Sequence, residues 1–125
     1  MSVIVRDSGF AADDWTGAVL DLATDADPLA LRAEIGKAEL IRVDFPSFAD
    51  GRGFTIARRL RLMGYSGRLR ARGHVIADQY AMARRAGFDE VEIPYELAAR
   101  QPEDQWRARA DWENHDYQSR LRGRA

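Results

Sequence analysis

Short apolar segments alternate along this chain with segments whose apolar residues recur at helical spacing, and this alternation constrains the fold more than any other feature. The strand candidates are residues 3–5, 18–22, 40–43, 67–71 and 89–93. The helix candidates are residues 29–37, 56–63, 75–83 and 95–114. Strands that alternate with helices form βαβ units with right-handed crossovers. The sequence therefore predicts an α/β fold with a mainly parallel sheet flanked by helices.

The length of the chain limits how such units close. A chain of 125 residues is long enough for one domain, so we expect residues 1–125 to form a single domain. Residues 118–125 are expected to be a flexible tail. A closed eight-stranded α/β barrel needs roughly 200 or more residues. This length permits two architectures, an open three-layer sheet and half of a barrel that a partner completes. We expect the open sheet. A homodimer is compatible with either form.

Composition excludes several classes of protein. No apolar run approaches the ~20 residues that cross a bilayer, and the first ten residues lack signal-peptide features, so we expect a cytoplasmic protein without a membrane segment. The chain has no cysteine, which excludes disulfides, thiolate metal sites and conventionally ligated iron–sulfur clusters. His74 and His115 are too far apart in sequence for a metal-ligand motif. We expect no metal, and any redox chemistry would need an organic cofactor or a partner.

Positive charge is concentrated in the middle of the chain. Residues 51–88 contain nine arginines and a single acid, Asp78, whereas both flanking segments are acidic. A genome rich in G and C accounts for the abundance of arginine, since Lys37 is the only lysine, but not for this concentration. The pattern predicts one positive surface or pocket that binds an anionic small molecule or partner.

The same region carries a family resemblance. The strings FPSFADGRGFTIARRLR and GYSGRLRARGHVIADQYAMARRAGFD, followed later by DYQ, resemble the bacterial family of unknown function DUF934. This resemblance implies a small cytosolic protein of assimilatory sulfate or sulfite reduction, either an oxidoreductase or an accessory subunit of one. It also implies sulfite reductase or a related reductase as a partner. It assigns no catalytic residue, and family members more often carry aspartate at the position of His74.

The loop after the strand at residues 40–43 holds Asp50, Gly51, Arg52 and Gly53, at the edge of the sheet where α/β folds bind ligands. Two glycines at a helix start let the backbone approach an anion, and Arg52 can add a bidentate contact. Alternatively, Asp50 caps the helix and the glycines only form a turn. The segment predicts an anion-binding site without excluding that simpler role.

Arg70 and Arg72 end the next strand and are the other candidate anion ligands. They lie about 20 residues after Gly51, where an arginine meets the 2′-phosphate of NADP in dinucleotide-binding folds. The third glycine of that fingerprint is Ile56 here, so NADP stays a weakly supported cofactor and the cofactor is otherwise unknown.

His74 and Asp78 are the candidate catalytic residues. His74 follows the strand that contains Arg72 and is the default general acid or base. Asp78 lies one turn further on and can accept a proton or hold an arginine such as Arg52, Arg70 or Arg72 in place. The simpler alternatives are a capping or surface histidine and a structural ion pair.

Three functions remain open. The first is the sulfite-reduction role that the resemblance implies. The second is a non-redox enzyme or binding protein for a sulfated or phosphorylated small molecule. Nucleic-acid binding ranks last, because the isoelectric point of about 6.1 is below the basic range. Trp106, Trp112 and Tyr117 are compatible with base stacking, but packing onto the sheet or a second subunit is the expected role.

Overall fold

The computed structural model describes residues 2–113, which form one mixed sheet with helices packed on it. The strands are β1 (Ser2–Arg6), β2 (Gly9–Ala11), β3 (Val19–Leu22), β4 (Leu40–Phe45), β5 (Arg68–Gly73) and β6 (Glu90–Pro94). The helices are α1 (Arg32–Lys37), α2 (Arg52–Leu62), α3 (Tyr80–Ala86), α4 (Tyr95–Arg100) and α5 (Glu103–Arg107). Single 3₁₀ turns precede α1 and α3.

The sheet is open, with the strand order β2-β1-β6-β5-β4-β3. Strands β3 to β6 are parallel neighbours, and they are joined by helical crossovers. The N-terminal hairpin β1–β2 is antiparallel and adds to the outer side of β6. The predicted α/β fold with a mainly parallel, open sheet flanked by helices is confirmed.

One face of the sheet carries the hydrophobic core. Each crossover joins adjacent strands with the same hand, so the helices lie on one side of the sheet. Every second strand residue packs there against the helices, including Ile41, Val43, Leu69, Val91 and Ile93. The expected three-layer arrangement is therefore wrong, because sequential strand order leaves no helix for the second face.

The second face of the sheet, which we call the charged face, is covered in part by a loop. Because β2 and β3 lie at opposite edges, residues 12–18 must cross the sheet, and we call this segment the strap. Asp13 in the strap lies 3.3 Å from a guanidinium nitrogen of Arg70, and the guanidinium of Arg68 lies 5.3 Å from the ring centre of Trp15. The strap thus replaces a helical layer with charged and aromatic contacts.

The C-terminal part differs from prediction. The helix expected over residues 95–114 is two short helices, because Pro102 lacks a backbone N–H and starts α5 after a break at Gln101. Trp106 in α5 is 1% exposed and packs edge-on against Tyr80, as the packing role predicts. The predicted tail at residues 118–125, the DYQ string and Tyr117 lie outside the described residues. No helix between residues 2 and 113 has the length and apolar character to cross a membrane.

Candidate functional site

Arg70 lies at the centre of the charged face. Its side chain is 1% exposed, and its Nε lies 2.6 Å from Glu90 while Nη1 lies 2.9 Å from Glu92. Asp13 of the strap completes this set of carboxylates. Burial alone would lower the pKa of Arg70, but the hydrogen bonds and charge of Glu90 and its neighbours raise it above the ordinary arginine value. Arg70 is therefore committed to structure and is turned away from solvent.

A pocket opens beyond this network, at the carboxyl edge of β4, β5 and β6. It has a volume of about 380 Å³ and we call it the polar pocket. It is lined by Ser2, Asp44, Phe45, Pro46, Arg72, Gly73, His74, Glu92, Ile93 and Pro94. Open parallel sheets bind ligands at this edge. The structure thus brings the predicted residues Arg72 and His74 together in one cavity.

Arg72 is the arginine of β5 that reaches the polar pocket. Its side chain is 49% exposed, and its contact with Glu92 is long, with 3.5 Å between Nε and Oε2. Glu92 is 8% exposed at its side chain and is also contacted by Arg42 at 3.3 Å and Arg70 at 2.9 Å. The contact of Arg72 with Glu92 is thus the longest of the three, and half of the Arg72 side chain is open to a ligand.

His74 is oriented by the end of β4. Both its backbone N–H, at 2.9 Å, and its Nδ1, at 3.3 Å, approach the carbonyl oxygen of Phe45. A carbonyl oxygen only accepts hydrogen bonds, so this contact places the proton of a neutral ring on Nδ1 and leaves a lone pair on Nε2. Asp44 lines the same pocket, and its carboxylate has no ion-pair or hydrogen-bond partner within residues 2–113. The pocket thus contains an arginine, an oriented histidine and an uncommitted carboxylate.

The turn between β5 and His74 requires glycine. Gly73 has φ +118°, and a Cβ added there would lie 2.6 Å from the carbonyl oxygen of Phe45. That oxygen is the one that His74 contacts, so the close approach of the two strand ends both demands glycine and sets the position of the histidine. A sequence signal for this role was present in the Arg72-Gly73-His74 string.

The segment Asp50, Gly51, Arg52 and Gly53 opens α2 as predicted, but it does not line the polar pocket. Asp50 accepts hydrogen bonds from Arg52 Nε at 3.0 Å and Nη2 at 2.7 Å. These bonds, together with one from the backbone N–H of Arg52, hold the pKa of Asp50 at about 2. Gly53 faces the ring of Phe45, which an added Cβ would overlap. Arg52 has its charge balanced locally, and Gly53 serves packing.

Asp78 does not meet Arg52, Arg70 or Arg72. Its side chain is 74% exposed and lies 2.9 Å from Arg109, which is on the C-terminal side of α5. Asp78 is not among the residues that line the polar pocket, so the structure separates the two candidate catalytic residues. His74 lies at the pocket and Asp78 forms a surface ion pair.

The nine arginines of residues 51–88 do not form one positive surface, which corrects that expectation. Those of β5 face Glu90 and Glu92, and most of the helical ones meet nearby oxygen atoms. The latter pairs are Arg52 with Asp50, Arg61 with Asp89, Arg84 with Asp7 and Arg85 with the carbonyl of Trp112. Only Arg58 and Arg59 have no such partner in the described part of the chain. The charge is therefore dispersed into separate pairs.

Glu92 and Ser2 are pocket residues that the sequence analysis missed. Ser2 donates its hydroxyl to Glu92 at 3.3 Å. The signal for Glu92 was the alternation of glutamates in β6, which matches the alternation of arginines in β5 when the two strands pair. No signal in the sequence brings Ser2 to this edge, because it arrives through the antiparallel hairpin.

Comparison with known proteins gives one family match. Residues 19–125 match the family described as bacterial protein of unknown function (DUF934). The chain belongs to this family. No curated protein and no solved structure matches it. The DUF934 match begins at β3, so it includes Asp44, Arg72, His74 and Glu92 but not the hairpin or the strap.

The described residues offer little for a metal or a dinucleotide. Within residues 2–113, no three histidine, aspartate or glutamate side chains are placed to hold a metal ion together. Ile56, at the third position of the dinucleotide fingerprint, is 4% exposed and packs in the core. Since Arg70 is engaged by carboxylates, only Arg72 of the two candidates faces a site that a phosphate can enter.

Proposed function

We propose that this protein acts in the cytoplasm in assimilatory sulfate or sulfite reduction, by binding a small anion in the polar pocket. It would work as an accessory subunit of sulfite reductase or a related reductase, or as an oxidoreductase that takes electrons from an organic cofactor or a partner. The link to sulfur rests on the family resemblance. The observation that supports anion binding is the half-exposed guanidinium of Arg72 at the carboxyl edge of the sheet.

The charges of the pocket define the anion that fits it. Arg72 presents a planar fork of N–H donors, which matches the oxygens of sulfate, sulfite, phosphate or carboxylate. Asp44 lies in the same cavity and repels a bare multiply charged anion. A ligand with one anionic group and a nearby hydrogen-bond donor, such as a hydroxyl or an amine, satisfies both side chains.

A second candidate function is a non-redox enzyme or binding protein for a sulfated or phosphorylated small molecule. It is favoured by the orientation of His74, whose Nε2 lone pair is left for general base chemistry in the pocket that also holds Arg72. A chain with this function would bind such an anion with one-to-one stoichiometry without a partner. An accessory subunit would need its reductase to produce an effect.

Growth on defined sulfur sources tests the proposal. A deletion strain would be grown on sulfate, sulfite or sulfide, and complemented with wild type, Arg72→Gln or Arg52→Gln. Arg52 is the matched control, because it is an exposed arginine outside the pocket whose charge Asp50 balances. We expect the deletion strain to fail on sulfate and sulfite and to grow on sulfide. Wild type and Arg52→Gln should restore growth, and Arg72→Gln should not.

The alternative outcomes separate the two candidates. Normal growth of the deletion strain on all three sources would rule out the sulfur-reduction role and leave the non-redox function. Full rescue by Arg72→Gln would show that the guanidinium in the polar pocket has no part in the function. Western blotting of each complemented strain confirms that the variants are present at equal levels.

A further inference from the structure

A second cavity adjoins the polar pocket, and segments at the carboxyl ends of the same three strands line both. The second cavity has a volume of about 280 Å³, and we call it the apolar pocket. After β4, Pro46 lines the polar pocket and Phe48 the apolar one. At the carboxyl end of β6, Pro94 lines the first and Leu97 of α4 lines the second. After β5, His74 lines both. The two cavities are therefore successive parts of one site that meet at His74.

The apolar pocket has the size and walls to hold a ring. Phe48, Ile76 and Leu97 supply its apolar surface. Its volume exceeds the roughly 150 Å³ of an apolar cavity that accommodates benzene. The side chain of Phe48 is 59% exposed, so a large aromatic surface faces solvent here. A flat apolar group that covers Phe48 would remove this surface from water.

Gln79 holds the walls of the apolar pocket in place. Its Nε2 donates to the carbonyl of Phe48 at 2.7 Å, and its Oε1 accepts from the backbone N–H of Ile76 at 3.1 Å. One side chain thus joins the loop after β4 to the loop after β5. The pocket is pre-formed by this link, which lowers the entropy cost of binding.

A cation also lines the apolar pocket. Arg100 lines it, and its guanidinium has no hydrogen-bond or ion-pair partner among residues 2–113. An electron-rich ring attracts such a cation through its face. The site therefore presents Arg72 in the polar pocket and an apolar surface with Arg100 in the apolar pocket, and His74 lines both.

We propose that the ligand of this site is an aromatic oxyanion: a small molecule in which a flat ring carries a sulfate, phosphate or carboxylate group. The oxyanion binds Arg72 in the polar pocket, the ring lies on Phe48 in the apolar pocket, and His74 faces the bond region between them. This inference rests on the proposed anion site and names its substrate class. It predicts that the ring contributes affinity that an inorganic anion lacks.

Two sulfate esters test the inference. Phenyl sulfate and methyl sulfate carry the same anionic group and differ in the ring. We would titrate each into the ¹⁵N-labelled protein and follow the amide signals of His74 and its neighbours. Phenyl sulfate should bind about tenfold or more tightly than methyl sulfate, as burial of an aromatic ring implies. Phe48→Ala should remove that preference and leave the affinity for methyl sulfate unchanged.

Two further variants complete the test. Arg72→Gln should weaken both esters by about tenfold, because both lose a charged hydrogen bond. Met82→Ala is the matched control, since Met82 is an exposed apolar side chain, 54% accessible, outside both pockets. It should retain the preference for phenyl sulfate.

The failures of the two proposals are distinguishable. Equal affinity for the two esters, with Arg72→Gln still weakening both, would overturn the aromatic ligand and leave the anion site standing. A phenyl preference that persists in Phe48→Ala would also overturn the inference. If neither ester binds, or if Arg72→Gln binds both as wild type does, the anion site of the proposed function falls and the inference falls with it.

Discussion

Substituting Arg70 by methionine should destabilise the protein strongly. The change removes a guanidinium that is 1% exposed and leaves the carboxylates of Glu90 and Glu92 buried, at 2% and 6% exposure. Breaking one partner of a buried ion pair costs about 3–5 kcal/mol of unfolding free energy. Glu90 keeps Arg6 at 3.1 Å as a remaining cation, and Arg42 remains 3.3 Å from Glu92. These residual contacts lead us to expect about 3 kcal/mol, the lower end of that range.

Urea denaturation followed by far-UV circular dichroism measures this effect. The transition midpoint should fall while its slope stays unchanged. Arg58→Met is the control, because Arg58 is exposed and has no ion-pair partner in the described residues; it should change stability by less than about 0.5 kcal/mol. The double variant Arg70→Met/Glu90→Met removes both charges of the shortest pair and should recover part of the loss. A cost below about 1 kcal/mol for Arg70→Met would refute the view that this network holds the charged face together.

Further substitutions test the turn at the site and the response to acid. Gly73→Ala should cost about 1–3 kcal/mol, from the positive φ and the overlap with the carbonyl of Phe45. Gly36→Ala in the last turn of α1, where an added Cβ meets no atom within 4 Å, should be neutral or stabilising in the same urea assay. Burial raises the pKa of Asp7, but the hydrogen bond from Tyr80 and its other donors outweigh this and lower it overall. The ionised form is therefore favoured in the folded state, so its contribution is present above the ordinary pKa of 3.8 and is lost as the pH falls through the lowered value. Asp7→Asn should be less stable than wild type at pH 7, and the difference should shrink towards pH 2; a constant difference would contradict this assignment.

The mainly parallel α/β fold was predictable because apolar strand segments alternate with helices that have an apolar face. The segment with Ile56 and Leu60 recurs at helical spacing, and the strand around Ile41 is short and β-branched. The hairpin was not readable, since β2 spans three residues, Gly9–Ala11, too few to show an alternation. Its pairing with β6 joins residues at opposite ends of the described chain, and no local pattern encodes such a pair.

The position of the candidate site followed from a general rule. Which of its arginines pair with nearby carboxylates depended on the assembled structure. The rule that ligands bind at the carboxyl edge predicts Arg72 and His74 as candidates, and both line the polar pocket. It does not indicate that Asp50 would bind Arg52 two residues away. Nor does it reveal that Arg70, which lies two residues before Arg72 on the same face of β5, forms ion pairs with Glu90 and Glu92 of β6. Which arginine stays available is a property of the assembled sheet.

The alternation of β5 and β6 explains why a charged face remains stable. Arg70 pairs in register with Glu90, and Arg72 with Glu92, so parallel strands bring opposite charges side by side. This match was present in the sequence as two separate alternating patterns. It becomes interpretable only when the two strands are known to be neighbours.

The strap and hairpin also constrain the order in which the chain can fold. Residues 2–18 are synthesised before the rest of the described chain, but β1 pairs with β6, whose partner residues are 86 and more positions later. Strands β3 to β6 can assemble step by step, each on its predecessor, before the hairpin has an edge to join. Long-range pairing of this kind is slow because the intervening loop must close first. The hairpin would therefore join the described sheet after strands β3 to β6, although it is made before them.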